Sequence, residues 1–278
     1  MQTLLIQVVI LVATAPLAVT LVPAVRDGRF SSIVNDLQVT YQTMWQRLSL
    51  REQGSWVVNA APNVAIALAL MLAGAIPTLV TSTPAGAYID LLFVGPIVGA
   101  LCLLGQSLRA EASHRINPMH AVTIAGALVL AGVTMMALGY SAELSSFVRV
   151  DMPRSAWVIA PLFTYLLVAA ELMRAPSCMS LASANMLQLA KTITASAIAA
   201  MAVRVALPLP IATPTGTPAQ LALSAVVLFA IIAATALMIG GMQRIMIRYR
   251  VDGALDRRLI IVAVALISVI SAIVANFV

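Results

Sequence analysis

Charged side chains are what this sequence has least of. They make up 9% of its 278 residues, against about 25% in soluble domains. So little polar material cannot cover a water-soluble globule, and 62% of the residues are hydrophobic. Cysteine is nearly missing. Cys102 lies in an apolar run, Cys178 in a loop, and neither belongs to a CxxC pair. An iron–sulfur cluster needs about four thiolates, so none is expected here, and the two thiols read as small hydrophobes. Histidine is as rare: His114 and His120 stand six apart across Pro118. A zinc pair on one helical face would be spaced by about three or four, so a metal site is not expected. No Walker A loop, nucleophile elbow or HExxH motif occurs. Aromatic residues do not interleave with basic ones, so the net charge of +6 does not point to nucleic acid. The chain is expected to bind no cofactor and to carry no catalytic residue of its own.

What is present is apolar sequence in long pieces. Eight runs stand at 4–25, 56–80, 88–108, 119–140, 156–174, 186–208, 219–240 and 258–277. At 1.5 Å per residue, about 20 residues span a hydrocarbon core roughly 30 Å thick. Continuous apolarity argues for helices, because barrel strands alternate. The expectation is one all-α integral membrane domain over 1–278 with about eight transmembrane helices. The first run lacks a basic leader and a small-residue cleavage site, and reads as a retained helix. Arginines set an orientation. Twelve fall in the loops after runs one, three, five and seven, and two, Arg149 and Arg154, in the loops between. The odd loops are therefore expected in the cytoplasm and both termini outside, in a bacterial inner membrane. TSTPAG at 81–86 and PLPIATPTGTP at 208–218 read as uncharged connectors. GPIVG at 95–99 is a GxxxG, which permits close helix contact.

The first loop, 26–55, is the longest. Within it Ile33, Leu37, Tyr41, Met44 and Leu48 recur at helical spacing, which predicts an amphipathic helix at the membrane surface. Ser32 suits its N-cap and Trp45 the headgroup zone. The face that carries Ile33, Leu37, Met44 and Leu48, flanked by Arg47 and Arg51, is a lipid anchor or a docking platform for a soluble partner. Ionisable residues inside apolar runs are costly and face protein or water. Here they are Asp90, Glu171, Lys191 and Arg204, with Arg174 three residues beyond Glu171 and in reach of it. Lys191 and Arg204 can snorkel, and His120 can titrate near neutral pH.

At Glu171 the sequence reads ELMRAP. With LLIQVVILVATAPL at the start, WVVNAAPNVAIALALMLAGAIP at 56–77, YIDLLFVGPIVGA at 88–100 and GMQRIMIRYRVD at 241–252, it resembles the membrane subunit family shared by respiratory complex I (subunit 1) and group 4 membrane-bound hydrogenases, of the formate hydrogenlyase subunit 4 type. The resemblance implies a membrane anchor. Its cytoplasmic loops would dock hydrogenase-like and iron–sulfur-like subunits, and it would lie beside antiporter-like membrane subunits. It also implies that Glu171 matches the helix-five glutamate, Arg174 its basic partner and Asp90 the aspartate opening helix three. Where the family has an acidic cluster after the helix-five proline, this chain has SCMSLASANML. Where the family often has Arg-Glu at the start of helix four, it has Met119-His120. Fewer titratable groups are left for a proton path. The alternative from another class is a stand-alone or accessory ion or solute transporter, which inverted repeats would favour; no internal repeat is visible.

Overall fold

The computed structural model describes residues 2–48, 56–75, 90–107, 118–139, 156–174, 181–206, 217–250 and 253–277. Among them the secondary structure is helical, without a strand. A helix covers the described part of each apolar run: α1 Gln2–Asp27, α3 Trp56–Ala75, α4 Leu91–Ser107, α5 Met119–Ala137, α6 Ile159–Leu172, α7 Leu181–Ala206, α8 Pro218–Arg248 and α9 Ala254–Phe277. α2, Ile33–Leu48, occupies the first loop, and a 3-10 turn at Ala156–Val158 leads into α6. Four helical stretches are long and apolar enough to cross a membrane: Gln7–Asp27, Met119–Ala137, Pro218–Arg248 and Leu255–Phe277. Asn63–Ala73, Leu92–Leu104, Ile159–Leu172 and Leu187–Val203 are shorter apolar helices.

Three described boundaries differ from the apolar runs by four residues or more. α8 continues eight residues past the run that ends at 240, and α9 starts four residues before 258. Most of the stretch read as a loop at 241–257 is therefore helix. Apart from Gly241, the residues that extend α8 are Met, Gln, Ile and Arg, good or tolerable helix formers, so loss of apolarity does not stop the helix. It stops where Arg250 takes a positive φ of 56°. α7 likewise begins at Leu181, upstream of 186.

α7 is the central helix, packing on α3, α6, α1, α8 and α2. From Thr192 to Ala202 every side chain is buried. Its polar residues differ: the buried Ser196 hydroxyl has no hydrogen-bond partner among the described residues, whereas two threonines bond within the helix. Thr192 Oγ1 donates to Gln188 O at 2.7 Å and Thr194 Oγ1 to Ala190 O at 2.9 Å, so these two hydroxyls satisfy themselves in a place without water.

Glycines set two close helix contacts. A Cβ at Gly95 would lie 2.7 Å from Ala125 O and 2.8 Å from Val129 Cγ2, and one at Gly99 would lie 3.0 Å from Ala125 Cβ. The GPIVG stretch thus lets α4 meet α5 nearly backbone to backbone. A Cβ at Gly240 would lie 2.7 Å from Val22 O, which brings α8 against α1. The end of α1 is closed by Gly28 at φ 72°, with Arg29 N donating to Ala24 O at 2.9 Å. A glycine in the left-handed region ends a helix in this way without Cβ strain.

Side-chain bonds give the helix directions. Gln7 Nε2 donates to Ala73 O at 2.7 Å, which joins the start of α1 to the end of α3. The Arg244 guanidinium sits over Gly28, at the ends of α8 and α1. Asn276 Nδ2 reaches Ala137 O at 3.3 Å, at the ends of α9 and α5. Gln188 Nε2 donates to Met173 O at 3.2 Å, near the start of α7 and the end of α6. Consecutive long helices therefore alternate in direction. The ends of α1, α6 and α8 and the starts of α5, α7 and α9 share one end of the bundle.

Candidate functional site

At that shared end lies Glu171. It sits in the last turn of α6, where four helical carbonyls lose their helical donors. Three polar bonds close this end. Gln243 Nε2, from α8, donates to Ala170 O at 3.0 Å; Gln188, from α7, caps Met173 O; and Arg174 N–H reaches back to Glu171 O at 3.2 Å. Gln243 is itself buried. The backbone that carries Glu171 is thus held from two neighbouring helices.

The carboxylate is 10% exposed and three cationic or potentially cationic groups surround it. Arg257, in the first turn of α9, is nearest: its Nε stands 3.1 Å from Oε2 and 3.4 Å from Oε1. Arg174 Nη1 is 3.9 Å from Oε2. His120 Nε2, at the start of α5, is 3.9 Å from Oε1. Leu167, Met246 and Ile261 line the same narrow crevice, so the pair Glu171–Arg257 has apolar walls. Even with neutral histidine, the two arginines outnumber the carboxylate.

The sequence pairing of Glu171 with Arg174 is present but long, and the stronger partner was missed. Arg257 entered only as a loop arginine in the orientation count. One signal could have found it: α6 ends and α9 starts on the same side of an alternating bundle, so a carboxylate at one can meet a cation at the other.

Of the remaining charge candidates, Asp90 stands apart from this cluster. Asp90 precedes α4, which runs antiparallel to α5, so it lies at the opposite end of the bundle. Lys191 is half-buried on α7, within electrostatic range of buried Cys102, as is Glu171. Arg204 lies near the end of α7, and its side chain is outside the described residues, as are those of Met44, Trp45, Arg47 and Leu48; Arg51, His114 and Cys178 are outside entirely. Among the described residues no three His, Cys, Asp or Glu side chains gather as a metal site would need.

α2 leans on the same end of the bundle, against α1 and α7. Ile33, Leu37 and Tyr41 are half-buried, whereas Val34 and Val39 are exposed. The Tyr41 hydroxyl donates to Ala13 O, and burial pushes its pKa above the ordinary tyrosine value. The described part of the predicted docking stripe is half-buried against the protein's own helices, and Val34 and Gln38 are exposed.

No family model matches the chain, and no curated protein is significantly similar to it.

Proposed function

We propose that this chain is the membrane-anchor subunit of a complex I-like or membrane-bound hydrogenase-like assembly. It crosses the bilayer eight times, with both termini outside, and α2, the amphipathic helix of the first cytoplasmic loop, leans back along the flank of α1 from Thr20 toward Ala13. Cytoplasmic hydrogenase-like and iron–sulfur-like subunits dock on the end of the bundle that holds Glu171, and antiporter-like subunits pack laterally. Its work is to hold an enzyme on the membrane and link it to the ion-translocating, antiporter-like subunits.

The observation that supports this reading is the composition of one end of the bundle. It gathers the arginine-bearing ends of α1, α6 and α8, the start of α9, and a carboxylate held among three cationic or potentially cationic groups at helix termini. A docking face needs rigid, charged relief of that kind. Two of the three groups around Glu171 are arginines, which stay protonated, so we read its cluster first as a structural clamp across α5, α6 and α9.

Affinity purification of the tagged chain from its native membranes, in mild detergent, tests the proposal. Subunits of nickel–iron-hydrogenase-like and antiporter-like sequence should come with it in fixed ratio. A chain that purifies alone, and conducts ions or solutes alone in liposomes, would establish the transporter reading instead.

A further inference from the structure

Between α1 and α2 lies a cleft of about 330 Å³, within the size range of about 300–1,000 Å³ common to ligand sites. One wall is apolar, formed by Val19, Pro23, Ala24 and Val39; Thr20, Thr40, Asp27, Asp36 and Arg29 supply the polar part. The hydrogen-bond state of these groups decides what the cleft can accept. Both oxygens of Asp27 are taken by Arg26, at 2.8 and 3.0 Å. Asp36 has one oxygen taken, receiving the Ser32 hydroxyl at 2.6 Å; among the described residues its other oxygen receives no donor. Thr40 spends its proton on Asp36 O at 2.6 Å, and Thr20 spends its own on Pro16 O at 2.9 Å, with Thr40 Oγ1 3.3 Å away. Both hydroxyls therefore offer lone pairs and not protons. Arg29 makes no salt bridge within 4 Å among the described residues, and the Asp27 carboxylate lies within its electrostatic range. The cleft is lined by a set of acceptors, one guanidinium and an apolar wall.

We infer that this cleft binds a phosphoethanolamine headgroup, with the phosphate on Arg29 and the primary ammonium on Asp36 and the threonine oxygens. An ammonium brings three donors to a site that has acceptors to satisfy; a quaternary choline brings none, and a glycerol headgroup brings no cation. Guanidinium and phosphate form charge-assisted bonds. The apolar wall selects the lipid over the free headgroup, because acyl chains can leave along Val19 and Val39. The inference rests on the proposal that this end of the bundle meets a membrane surface.

The test uses the full chain reconstituted in vesicles of equal parts dioleoyl phosphatidylethanolamine, phosphatidylglycerol and phosphatidylcholine, then extracted and weighed by native mass spectrometry. Alkali-resistant retention in the vesicles is measured first, and a chain washed off by alkali sinks both the membrane proposal and this one. For an inserted chain, one ethanolamine lipid should stay bound at least about tenfold over the other two. Asp36→Asn and Arg29→Gln should each abolish that preference, whereas Arg250→Gln, at the same end of the bundle but outside the cleft, should retain it. Equal retention of choline or glycerol lipid, or an unchanged preference in Asp36→Asn, overturns the inference while the membrane reading stands. Soluble phosphoethanolamine that displaces the lipid at equal concentration would reassign the cleft to a free ligand.

Discussion

Replacing Glu171 by Gln keeps the side chain's shape and removes its charge. Arg257 then loses its counter-charge at 3.1 Å while only 17% exposed; Arg174 and His120 lose the carboxylate they share. Breaking one side of a fully buried pair costs about 3–5 kcal/mol, because the remaining charge stays desolvated. Here the cluster lies at the end of the bundle and its cations keep a path to water. The expected loss is therefore smaller, about 2–3 kcal/mol, or roughly thirty- to 150-fold in the folded-to-unfolded ratio. Arg257→Gln should cost a similar amount. Arg174→Ala, at 3.9 Å and more exposed, should cost under about 1 kcal/mol. The double variant Glu171→Gln with Arg257→Gln removes both members of the nearest pair and should be less destabilised than the singles predict, with a coupling of about 1–3 kcal/mol. Reversible unfolding in mixed micelles titrated with dodecyl sulfate, read by circular dichroism, measures each variant. A Glu171→Gln chain within about 0.5 kcal/mol of the parent, below the size of these effects, would refute the clamp. So would an Arg174→Ala chain weaker than Arg257→Gln.

Three further outcomes are expected. Gly95→Leu places a side chain where even a Cβ would be 2.7 Å from Ala125 O, so α4 and α5 should part at a cost of about 1–3 kcal/mol or more; Gly126→Ala, with nothing within 4 Å, should be silent in the same unfolding assay. Gln243→Leu leaves Ala170 O without its donor at the buried end of α6 and should cost about 1–3 kcal/mol, with faster amide exchange in the last turn of α6. In a background lacking Cys102 and Cys178, Tyr249→Cys should resist an impermeant thiol reagent in intact cells, whereas Ser82→Cys should react; the reverse pattern would invert the proposed topology.

The helices were legible in the sequence because each one carries its signal in itself. An apolar run of about 20 residues needs no knowledge of its neighbours, and the structure puts a helix on each. The ends were less legible for the same reason. α8 runs on through Gln243, Arg244 and Arg248, which are good helix formers although they are not apolar, so hydropathy marks where the apolar stretch stops and not where the helix does. The site sits at the far limit of local reading. Glu171 and Arg174 are one turn apart and were paired by spacing alone, yet the shorter bond goes to Arg257, 86 residues away. Only the packing of α6 on α9 brings it there. The same limit applies to α2. Its period reveals one apolar face, but a period cannot say what that face meets. The Tyr41 hydroxyl answers in part, since it reaches the backbone of α1 at Ala13. The half-buried residues Ile33, Leu37 and Tyr41 then serve to fix α2 on α1 and so to shape the cleft between them. Val39 lines that cleft, so a partner docking on α2 is left Val34 and Gln38, a pair that no hydrophobic stripe selects.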